Sequence, residues 1–231
     1  MINIQNIKFA YSKEVVLDDF SLQFDKGGIY GLLGKNGTGK STLLYLMMGL
    51  LRPQKGTVTI DGISATLRRP EILSEMFLVP EEYDLPRISL RKYVKAIKPF
   101  YPHFSDELLE RCLGNFEMTS DIDLGALSMG QKKKVYMCIA LASGTRYLLM
   151  DEPTNGLDIL SKSQFRKAVI EGMTDDKTVI ISTHQVHDVE RLLDHVCIIE
   201  RNKVLLNEPL IEKDEAINLE ELFIKTVEQR S

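Results

Sequence analysis

The sequence predicts an α/β protein with a parallel-sheet core, an antiparallel β subdomain and an inserted helical subdomain. Three observations support this fold class. Up to about residue 24, apolar and polar residues alternate, as in half-buried antiparallel strands. Later apolar runs alternate with helical patterns, which indicates parallel strands joined by right-handed crossovers. Between these two regions, from about Asp84 to Gly125, strand patterns vanish and helical periodicity replaces them.

The first part of the chain contains five predicted strands and one helix. The segments MINIQNIKFAYS and EVVLDDFSLQFD are the two alternating strands. The run GGIYGLL is almost wholly apolar, as expected of a strand that is covered on both faces. A helix is predicted from Ser41 to Leu51, before a turn marked by Pro53 and Gly56. The strands GTVTIDG and EMFLVPEE follow.

The remaining part of the chain begins with predicted helices and then alternates between predicted strands and helices. The segments SLRKYVKAIKPFY and SDELLERCLGNF are predicted helices, and we assign residues 84–145 to a helical subdomain within a single domain of residues 1–231. Three buried strands, TRYLLMDEP, KTVIISTH and DHVCIIER, come next. The helices SKSQFRKAVIEGM and QVHDVERLL separate them, and a terminal helix is predicted from Leu219 onward.

Composition narrows the class of protein. The chain has 231 residues, 44% of them hydrophobic and 27% charged, which is typical of a soluble globular domain. A net charge of −4 gives no basic field for nucleic acid. The longest apolar runs are far shorter than the ~20 residues that span a bilayer, and no signal segment is present. The cysteines, Cys112, Cys138 and Cys197, are too far apart in sequence for a metal motif, so we expect buried, reduced thiols in a cytoplasmic protein.

A glycine-rich stretch, GLLGKNGTGKSTLL, follows the apolar strand and precedes the predicted helix. Its residues from Gly34 to Ser41 fit the phosphate-loop pattern G-x-x-x-x-G-K-[ST]. Glycines let backbone N–H groups converge on an anion, and the helix start adds its positive dipole end. Lys40 would reach the β- and γ-phosphates and the Ser41 hydroxyl would hold Mg²⁺. The alternative is a plain glycine-rich turn between a strand and a helix.

An acid pair ends the strand YLLMDEP. Asp151 would emerge at the carboxyl end of this strand, near the phosphate loop, where a carboxylate holds Mg²⁺ directly or through water. Glu152 follows and would be free to orient and deprotonate an attacking water. The alternative is an acidic turn before a proline, without a catalytic role.

The stretch ALSMGQKKKV predicts the start of another helix. Ser128 and Gln131 have the spacing of a capping box, and the helix N-terminus with the small Gly130 exposes donors suited to a phosphate. The alternative is a capped surface helix. For the lysine run, residues 132–134, we expect only a solvated helix face.

These motifs together resemble the ATP-binding cassette (ABC) family, with its RecA-like P-loop NTPase fold. LSMGQ is similar to the signature motif LSGGQ and lies between the helical insertion and the acid pair, the Walker B element. The other motifs follow in the family's order: Tyr11 at the adenine-stacking aromatic, NGLD as the D-loop with Asp158, and STHQ with His184 at the switch histidine. LEELF resembles a C-terminal stretch of small ABC-2-type exporter cassettes.

The resemblance implies an ATPase that uses ATP and Mg²⁺ and works as a head-to-tail pair of cassettes. Glu152 would be the general base, assisted by His184 and Lys40, and Ser41, Asp151 and Glu81 would be the metal ligands. Each signature motif would act on the partner's nucleotide. The implied ATP-binding residues are Tyr11, Gly34, Lys35, Asn36, Gly37, Thr38, Gly39, Lys40, Ser41 and Thr42, and the implied signature residues are Ser128, Met129, Gly130 and Gln131.

Two positions depart from the family pattern. Glu81 aligns with the family's usual glutamine, although the alignment could slip to Glu82. An ionised carboxylate accepts hydrogen bonds but cannot donate them as an amide does, and it adds negative charge near the γ-phosphate. Cassettes similar to the ABC-2 group often carry this Glu. Met129 replaces the motif's first glycine, which puts phosphate contact by that backbone in question.

Other assignments have alternatives. Phe9 competes with Tyr11 for the stacking role. His184 has two alternatives: a strand-end histidine or a metal ligand with His187. The segment RISLRKYVKAIKPFYPHF suits either permease docking near residues 81–98 or a plain amphipathic helix.

The resemblance implies a cassette on the inner face of the cell membrane, with a separate transmembrane permease subunit and a second nucleotide-binding domain, either an identical copy or a paralogue. Nucleic acid is not an expected partner. The sequence is also compatible with two other classes of protein. A soluble ABC ATPase acting on the ribosome or nucleic acid usually has two cassettes, coiled coils or basic extensions. A phosphate-loop kinase or GTPase leaves LSMGQ and STHQ unexplained.

Overall fold

A computed structural model describes residues 1–200, 202–210 and 219–230 of the chain. The described strands form two sheets, one antiparallel with four strands and one mostly parallel with six. Helices lie between the sheets and on the outer face of the larger sheet. This arrangement confirms the predicted α/β fold with a parallel core and an antiparallel β subdomain.

The smaller sheet has the order β2-β1-β4-β5. Its strands are β1 (Ile2–Tyr11), β2 (Glu14–Phe24), β4 (Lys55–Ile60) and β5 (Ile63–Ser64). The alternation in β1 and β2 places one set of side chains, including Ile2, Ile4 and Leu17, in the core. The first two strands pair antiparallel as predicted, whereas the two-residue β5 was not predicted.

The larger sheet has the order β10-β9-β3-β8-β7-β6. Its strands are β3 (Gly28–Leu33), β6 (Met76–Val79), β7 (Tyr147–Asp151), β8 (Thr178–Thr183), β9 (His195–Glu200) and β10 (Lys203–Pro209). From β9 to β6 all neighbours are parallel, as predicted. The edge strand β10 pairs antiparallel with β9 and was missed, because it is mostly exposed and lacks a continuous apolar run.

Eight α-helices are described: α1 (Lys40–Met47), α2 (Pro70–Leu73), α3 (Leu90–Ile97), α4 (Asp106–Asn115), α5 (Met129–Ala142), α6 (Ile159–Glu171), α7 (Val186–Val189) and α8 (Leu219–Arg230). Short 3₁₀ turns extend several of them. The predicted helix from Ser41 to Leu51 was too long, because Gly49 adopts a left-handed backbone with φ +64°. Its α-carbon also packs against the Ala65 carbonyl, where a side chain would not fit.

The helices α3, α4 and α5 lie between β6 and β7, where the inserted helical subdomain was expected. The boundaries 84–145 and the assignment of a single domain remain predictions. In α3, Leu90 and Val94 are buried whereas Arg91, Lys92 and Lys95 are exposed, so the helix is amphipathic.

Two apolar clusters cover the two faces of the larger sheet. One packs α1 between the two sheets, and the other packs α3 to α8 against the opposite face. The three cysteines are buried and unpaired, as predicted. Among the described residues, none of the helices has the length and apolar character to cross a membrane.

Candidate active site

The phosphate loop connects β3 to α1. Gly37 and Gly39 have φ values of +80° and +94°, which side chains rarely adopt, so the loop requires glycine at both positions. Gly34 has no room for a side chain, because a Cβ there would lie 2.7 Å from the Ile199 carbonyl oxygen. No side chain caps the start of α1 at Gly39, which leaves its first N–H groups available to an anion.

Lys40 is the first residue of α1, and its side chain is folded into the loop. Its ammonium donates to the carbonyl oxygens of Gly34 at 2.7 Å and Lys35 at 3.2 Å. It also lies 3.5 Å from Glu152 Oε1. Burial lowers the pKa of Lys40, and the neighbouring carboxylates of Glu152, Asp151 and Glu81 act against that shift. The predicted phosphate-binding lysine therefore sits beside the predicted acid pair.

Asp151 ends β7 and is almost fully buried. The parallel register places it opposite Ser182 of β8, whose hydroxyl donates to its carboxylate. Burial raises the pKa of Asp151, while hydrogen bonds from Ser182 and Ser41 oppose the rise. Ser41 and Asp151, two of the three predicted Mg²⁺ ligands, are therefore neighbours.

Glu152 is buried and has the left-handed φ of +45°, which is rare for a residue other than glycine. Its carboxylate accepts hydrogen bonds from the Thr183 hydroxyl at 2.9 Å and from the His184 backbone N–H at 3.1 Å. The His184 ring contributes a third contact, between Nδ1 and Glu152 Oε1 at 2.8 Å. The chain therefore holds the Glu152 carboxylate from several sides, and its role as the base that deprotonates water stays a prediction.

His184 follows β8 and is one-third exposed. Its Nδ1 contact is with Glu152, which associates it with the acid pair. Among the described residues, no group of three or more His, Cys, Asp or Glu side chains is arranged to hold a metal ion. The geometry therefore favours the switch-histidine assignment over a metal site with His187, whose own Nδ1 lies 3.0 Å from Glu190.

Ser128 caps α5 as predicted. Its hydroxyl accepts from the Gln131 backbone N–H at 3.3 Å, and the Gln131 side chain accepts from the Ser128 backbone N–H at 3.0 Å. Met129 is 66% exposed at the first helical position, and Gly130 is half-buried. In the described part of the chain, no hydrogen bond or ion pair joins these residues to the phosphate loop of the same chain.

The lysine run after the signature is not simply a solvated face, so that expectation was wrong. All three lysines are partly buried. Lys132 pairs with Asp84 at 3.3 Å, and Lys134 lies over the Phe116 ring. Lys133 donates to backbone carbonyls of the turn that carries Glu152.

The two predicted acids on flanking loops have local partners. Glu81 is exposed, and its Oε1 accepts a hydrogen bond from Asn155 Nδ2 at 2.9 Å. Asp158 caps α6, accepting from the Ser161 N–H at 2.9 Å and the Ser161 hydroxyl at 2.6 Å, and these bonds lower its pKa. Glu81 is thus linked to the turn between Glu152 and Asn155, and Asp158 to the start of α6.

The aromatic pair in β1 divides into one buried and one exposed ring. Phe9 is 6% exposed and Tyr11 is 47% exposed, and their rings meet edge to face at 4.9 Å. The Thr42 hydroxyl lies 3.5 Å from the Tyr11 hydroxyl, so Tyr11 is next to α1. Only an exposed ring face is available to a base, which favours Tyr11 over Phe9.

Sequence reasoning missed Ser182, Thr183, Asn155 and Lys133, all of which touch the acid pair or its turn. Ser182 and Thr183 lie in the quoted STHQ stretch, so their place at the carboxyl end of a parallel strand was a usable signal. Lys133 had no local signal, since its contacts depend on how α5 packs.

The site residues fit MgATP. Mg²⁺ usually takes one or two protein ligands and completes its shell with water and phosphate oxygens. Ser41 and the hydrogen-bonded Asp151 carboxylate supply such a pair beside a glycine loop that can hold phosphate. A parallel sheet with this loop after one strand and an acid pair after another defines a P-loop nucleotide-hydrolysing protein.

Comparison with known proteins names the family. The family model described as "ABC transporter" matches residues 17–155, more than half of the chain, so the chain belongs to the ABC transporter family. The chain is 30% identical over 225 residues to the lantibiotic transport ATP-binding protein SrtF of Streptococcus pyogenes, covering 96% of each chain. It is an ATPase of the P-loop ABC type.

Two other relatives are more distant. The ABC transporter ATP-binding protein YtrB of Bacillus subtilis (strain 168) is 27% identical over 228 residues, covering 96% of this chain and 77% of YtrB. Nod factor export ATP-binding protein I of Cupriavidus metallidurans is 28% identical over 209 residues, covering 88% and 69% of the two chains.

Solved structures share the fold. An ATP-binding subunit of an ABC transporter superposes with a TM-score of 0.85 at 24% identity, covering 98% of this chain and 99% of that one. A putative ABC transporter ATP-binding protein from Pyrococcus furiosus gives a TM-score of 0.67 at 29% identity, covering 79% and 90%. The kinase or GTPase class and the soluble ribosomal or nucleic-acid ATPase are not favoured.

Proposed function

We propose that this chain hydrolyses MgATP to energise an exporter whose cargo passes through a separate transmembrane permease. One observation supports the proposed catalytic role most directly. The phosphate-loop lysine lies next to the acid pair, with Lys40 Nζ 3.5 Å from Glu152 Oε1. The names of two relatives, one in lantibiotic transport and one in Nod factor export, support the direction of transport.

The roles follow from the contacts of each group. Lys40 and the N–H groups of the loop bind the phosphates, and Tyr11 stacks on the adenine. Ser41 and Asp151 hold Mg²⁺, which neutralises phosphate charge when bound. Glu81 contributes to the same metal shell, and the hydrogen bond that it accepts from Asn155 connects it to the turn that begins at Glu152.

Glu152 takes the proton of the attacking water. Thr183 and His184 hold its carboxylate in place, so the base is oriented before water arrives. Lys40 pairs with Glu152 in this structure, and a bound γ-phosphate would draw the ammonium toward itself because phosphate carries more charge than a carboxylate. That exchange would release the base for catalysis.

The site is completed by a second cassette, either an identical copy or a paralogue. Ser128 and Gly130 at the start of α5 would contact the partner's γ-phosphate, as the resemblance of LSMGQ to the family's signature motif implies. Met129, Ile159 and Leu160 are 66%, 88% and 63% exposed at the starts of α5 and α6. Exposed apolar side chains grouped at two such helix starts suit a protein interface.

The permease would dock near residues 81–98, at α3 and the preceding loop. The outer face of α3 carries Arg91, Lys92 and Lys95, and Phe100 just beyond it is 70% exposed. A basic face beside an exposed aromatic ring suits a permease loop. The chain would then lie at the cytoplasmic face of the cell membrane.

Glu152→Gln tests the catalytic assignment. Glutamine keeps the size of the side chain but cannot accept a proton, so kcat should fall by roughly 10²- to 10⁴-fold. The Kd for MgATP should change little, because the phosphate loop and the metal ligands are intact. Steady-state hydrolysis and equilibrium binding of a fluorescent ATP analogue measure the two quantities.

The matched control for this test is Glu71→Gln, the same chemical change at an exposed position on α2. It should hydrolyse ATP at the wild-type rate. If Glu152→Gln also keeps the wild-type kcat, the base is another group and the assignment of Glu152 is wrong.

A further inference from the structure

Lys133 lies on the second turn of α5, five residues after Ser128. Its ammonium donates to the backbone carbonyl oxygen of Glu152 at 3.1 Å and to that of Asn155 at 2.8 Å. The Asn155 N–H also donates to the Glu152 carbonyl at 3.2 Å, closing the turn between the two residues. One cation therefore holds both ends of the turn that begins with the candidate general base.

This turn needs support because its first residue is conformationally disfavoured. Glu152 has a φ of +45°, and side chains clash with the backbone in this left-handed region. In the described part of the chain, the Asn155 carbonyl has no hydrogen-bond donor other than Lys133. Loss of the ammonium would leave that oxygen unpaired and free the turn to relax, which would move the Glu152 carboxylate.

Charge links Lys133 to the whole acidic site. Burial lowers the pKa of Lys133, and the carboxylates of Glu81, Glu152 and Asp151 act against this shift. Asn155, whose carbonyl accepts from Lys133, also donates through its side chain to Glu81 at 2.9 Å. The Lys133 ammonium is thus a second positive charge, beside Lys40, in a cluster that contains both predicted metal-site acids and the candidate base.

We propose that Lys133 is a positioning residue that holds Glu152 in its reactive orientation and ties it to the signature helix. The second part rests on the proposed function, in which Ser128 contacts the partner's nucleotide. Ser128 and Lys133 are about 7.5 Å apart along one helix, at a rise of about 1.5 Å per residue. A shift of α5 on nucleotide binding across the dimer would therefore move the base of the chain's own site.

Lys133→Met tests the proposal, because methionine is unbranched and flexible but has neither charge nor N–H donors. We expect kcat for ATP hydrolysis to fall by roughly ten- to a hundredfold, the cost of a small misplacement of a catalytic group. The KM for ATP should stay within about twofold. The thermal unfolding midpoint should fall only slightly, because one partly buried carbonyl loses its donor while the cost of burying the ammonium is also removed. Lys133→Arg, which keeps the charge and the donors, should restore most of the lost kcat.

Lys132→Met is the matched control. It makes the same change at the neighbouring position, where the ammonium pairs with the exposed Asp84, and should leave kcat unchanged. Lys133→Ala provides a second neutral variant if Lys133→Met does not fold. A wild-type kcat in the folded neutral variant would overturn the proposal, as would failure of Lys133→Arg to recover activity. Absence of ATP hydrolysis by the wild-type chain would instead overturn the proposed function, so the two failures are distinguishable.

Discussion

The buried Asp151 carboxylate lowers the stability of the folded protein when it is ionised. It is 1% exposed, and burial raises its pKa despite the hydroxyl donors Ser182 and Ser41. When the folded state raises the pKa of a carboxyl group, its protonated form stabilises the fold, and this contribution is fully present below the unfolded-state pKa. The contribution is lost as the pH rises through the folded-state pKa. Above the folded-state pKa, ionised Asp151 therefore destabilises the protein when no metal is bound.

Asp151→Asn should make the protein more stable in metal-free and nucleotide-free buffer. We expect the thermal unfolding midpoint at pH 7 to rise by about 2–4 °C for each kcal/mol gained. The gain should shrink as pH is lowered through the folded-state pKa, because Asp151 is then protonated and uncharged. Calorimetry at steps below pH 7 measures the trend.

The control for this prediction is Asp158→Asn, the same change at an exposed helix cap where asparagine serves nearly as well. Its midpoint should stay the same or fall slightly. A lower midpoint for Asp151→Asn at pH 7, with no dependence on pH, would show that burial does not dominate at Asp151.

At the residue scale, contiguous motifs were predictable and long-range partners were not. Lys40, Ser41 and Asp151 were named because a short pattern carries their chemistry. The contact of Lys133 with Glu152 spans 19 positions and depends on where the tertiary fold places α5 beside the turn after β7, which the local sequence pattern does not reveal. The assigned roles of all these residues remain predictions that only the variants can test.

At the scale of elements, local signals decided which predictions succeeded. The start of α5 was predictable because the capping box lies within four residues. The end of α1 was not, because it depends on the backbone of Gly49 packing against Ala65. The edge strand β10 exists through its pairing with β9, so its sequence alone carries little signal.

The loop after β6 is joined to α5 by a tilted pair of aromatic rings. Tyr83 packs on Tyr136 with ring centroids 4.5 Å apart. The Tyr83 hydroxyl is buried without a hydrogen-bond partner in the described structure, and burial raises its pKa. The ring contact is stabilising and the hydroxyl is not, because an unpaired buried polar group has lost its hydration.

Tyr83→Phe should therefore raise the free energy of unfolding by about 1 kcal/mol while leaving ATP hydrolysis intact. Tyr147→Phe is the control of opposite sign, since the Tyr147 hydroxyl donates to Asp61 at 2.8 Å. It should lower the free energy of unfolding by about 1 kcal/mol. Urea denaturation measures both; equal losses in the two variants would contradict the assignment of an unpaired hydroxyl.

At the scale of the whole molecule, polar contacts join the subdomains that the site requires. Arg146, at the base of β7, pairs with Asp61 after β4 at 3.3 Å and with Glu75 before β6 at 3.1 Å. His103 in the helical insertion lies 3.7 Å from the same Glu75. The β subdomain, the parallel core and the insertion thus meet at the end of the sheet opposite the acid pair. The fold class was predictable from the sequence, because alternating and continuous apolar runs distinguish the two sheets.

If this ATPase energises a transporter through a separate membrane protein, the two proteins should form a complex that can be isolated. The most direct measurement is affinity purification of the Glu152→Gln chain with MgATP from detergent-solubilised native cells, followed by mass spectrometry with quantified stoichiometry. We expect a polytopic membrane protein in stoichiometric amount, together with a second cassette. Recovery of ribosomal proteins or nucleic acid, with no membrane protein, would contradict this expectation.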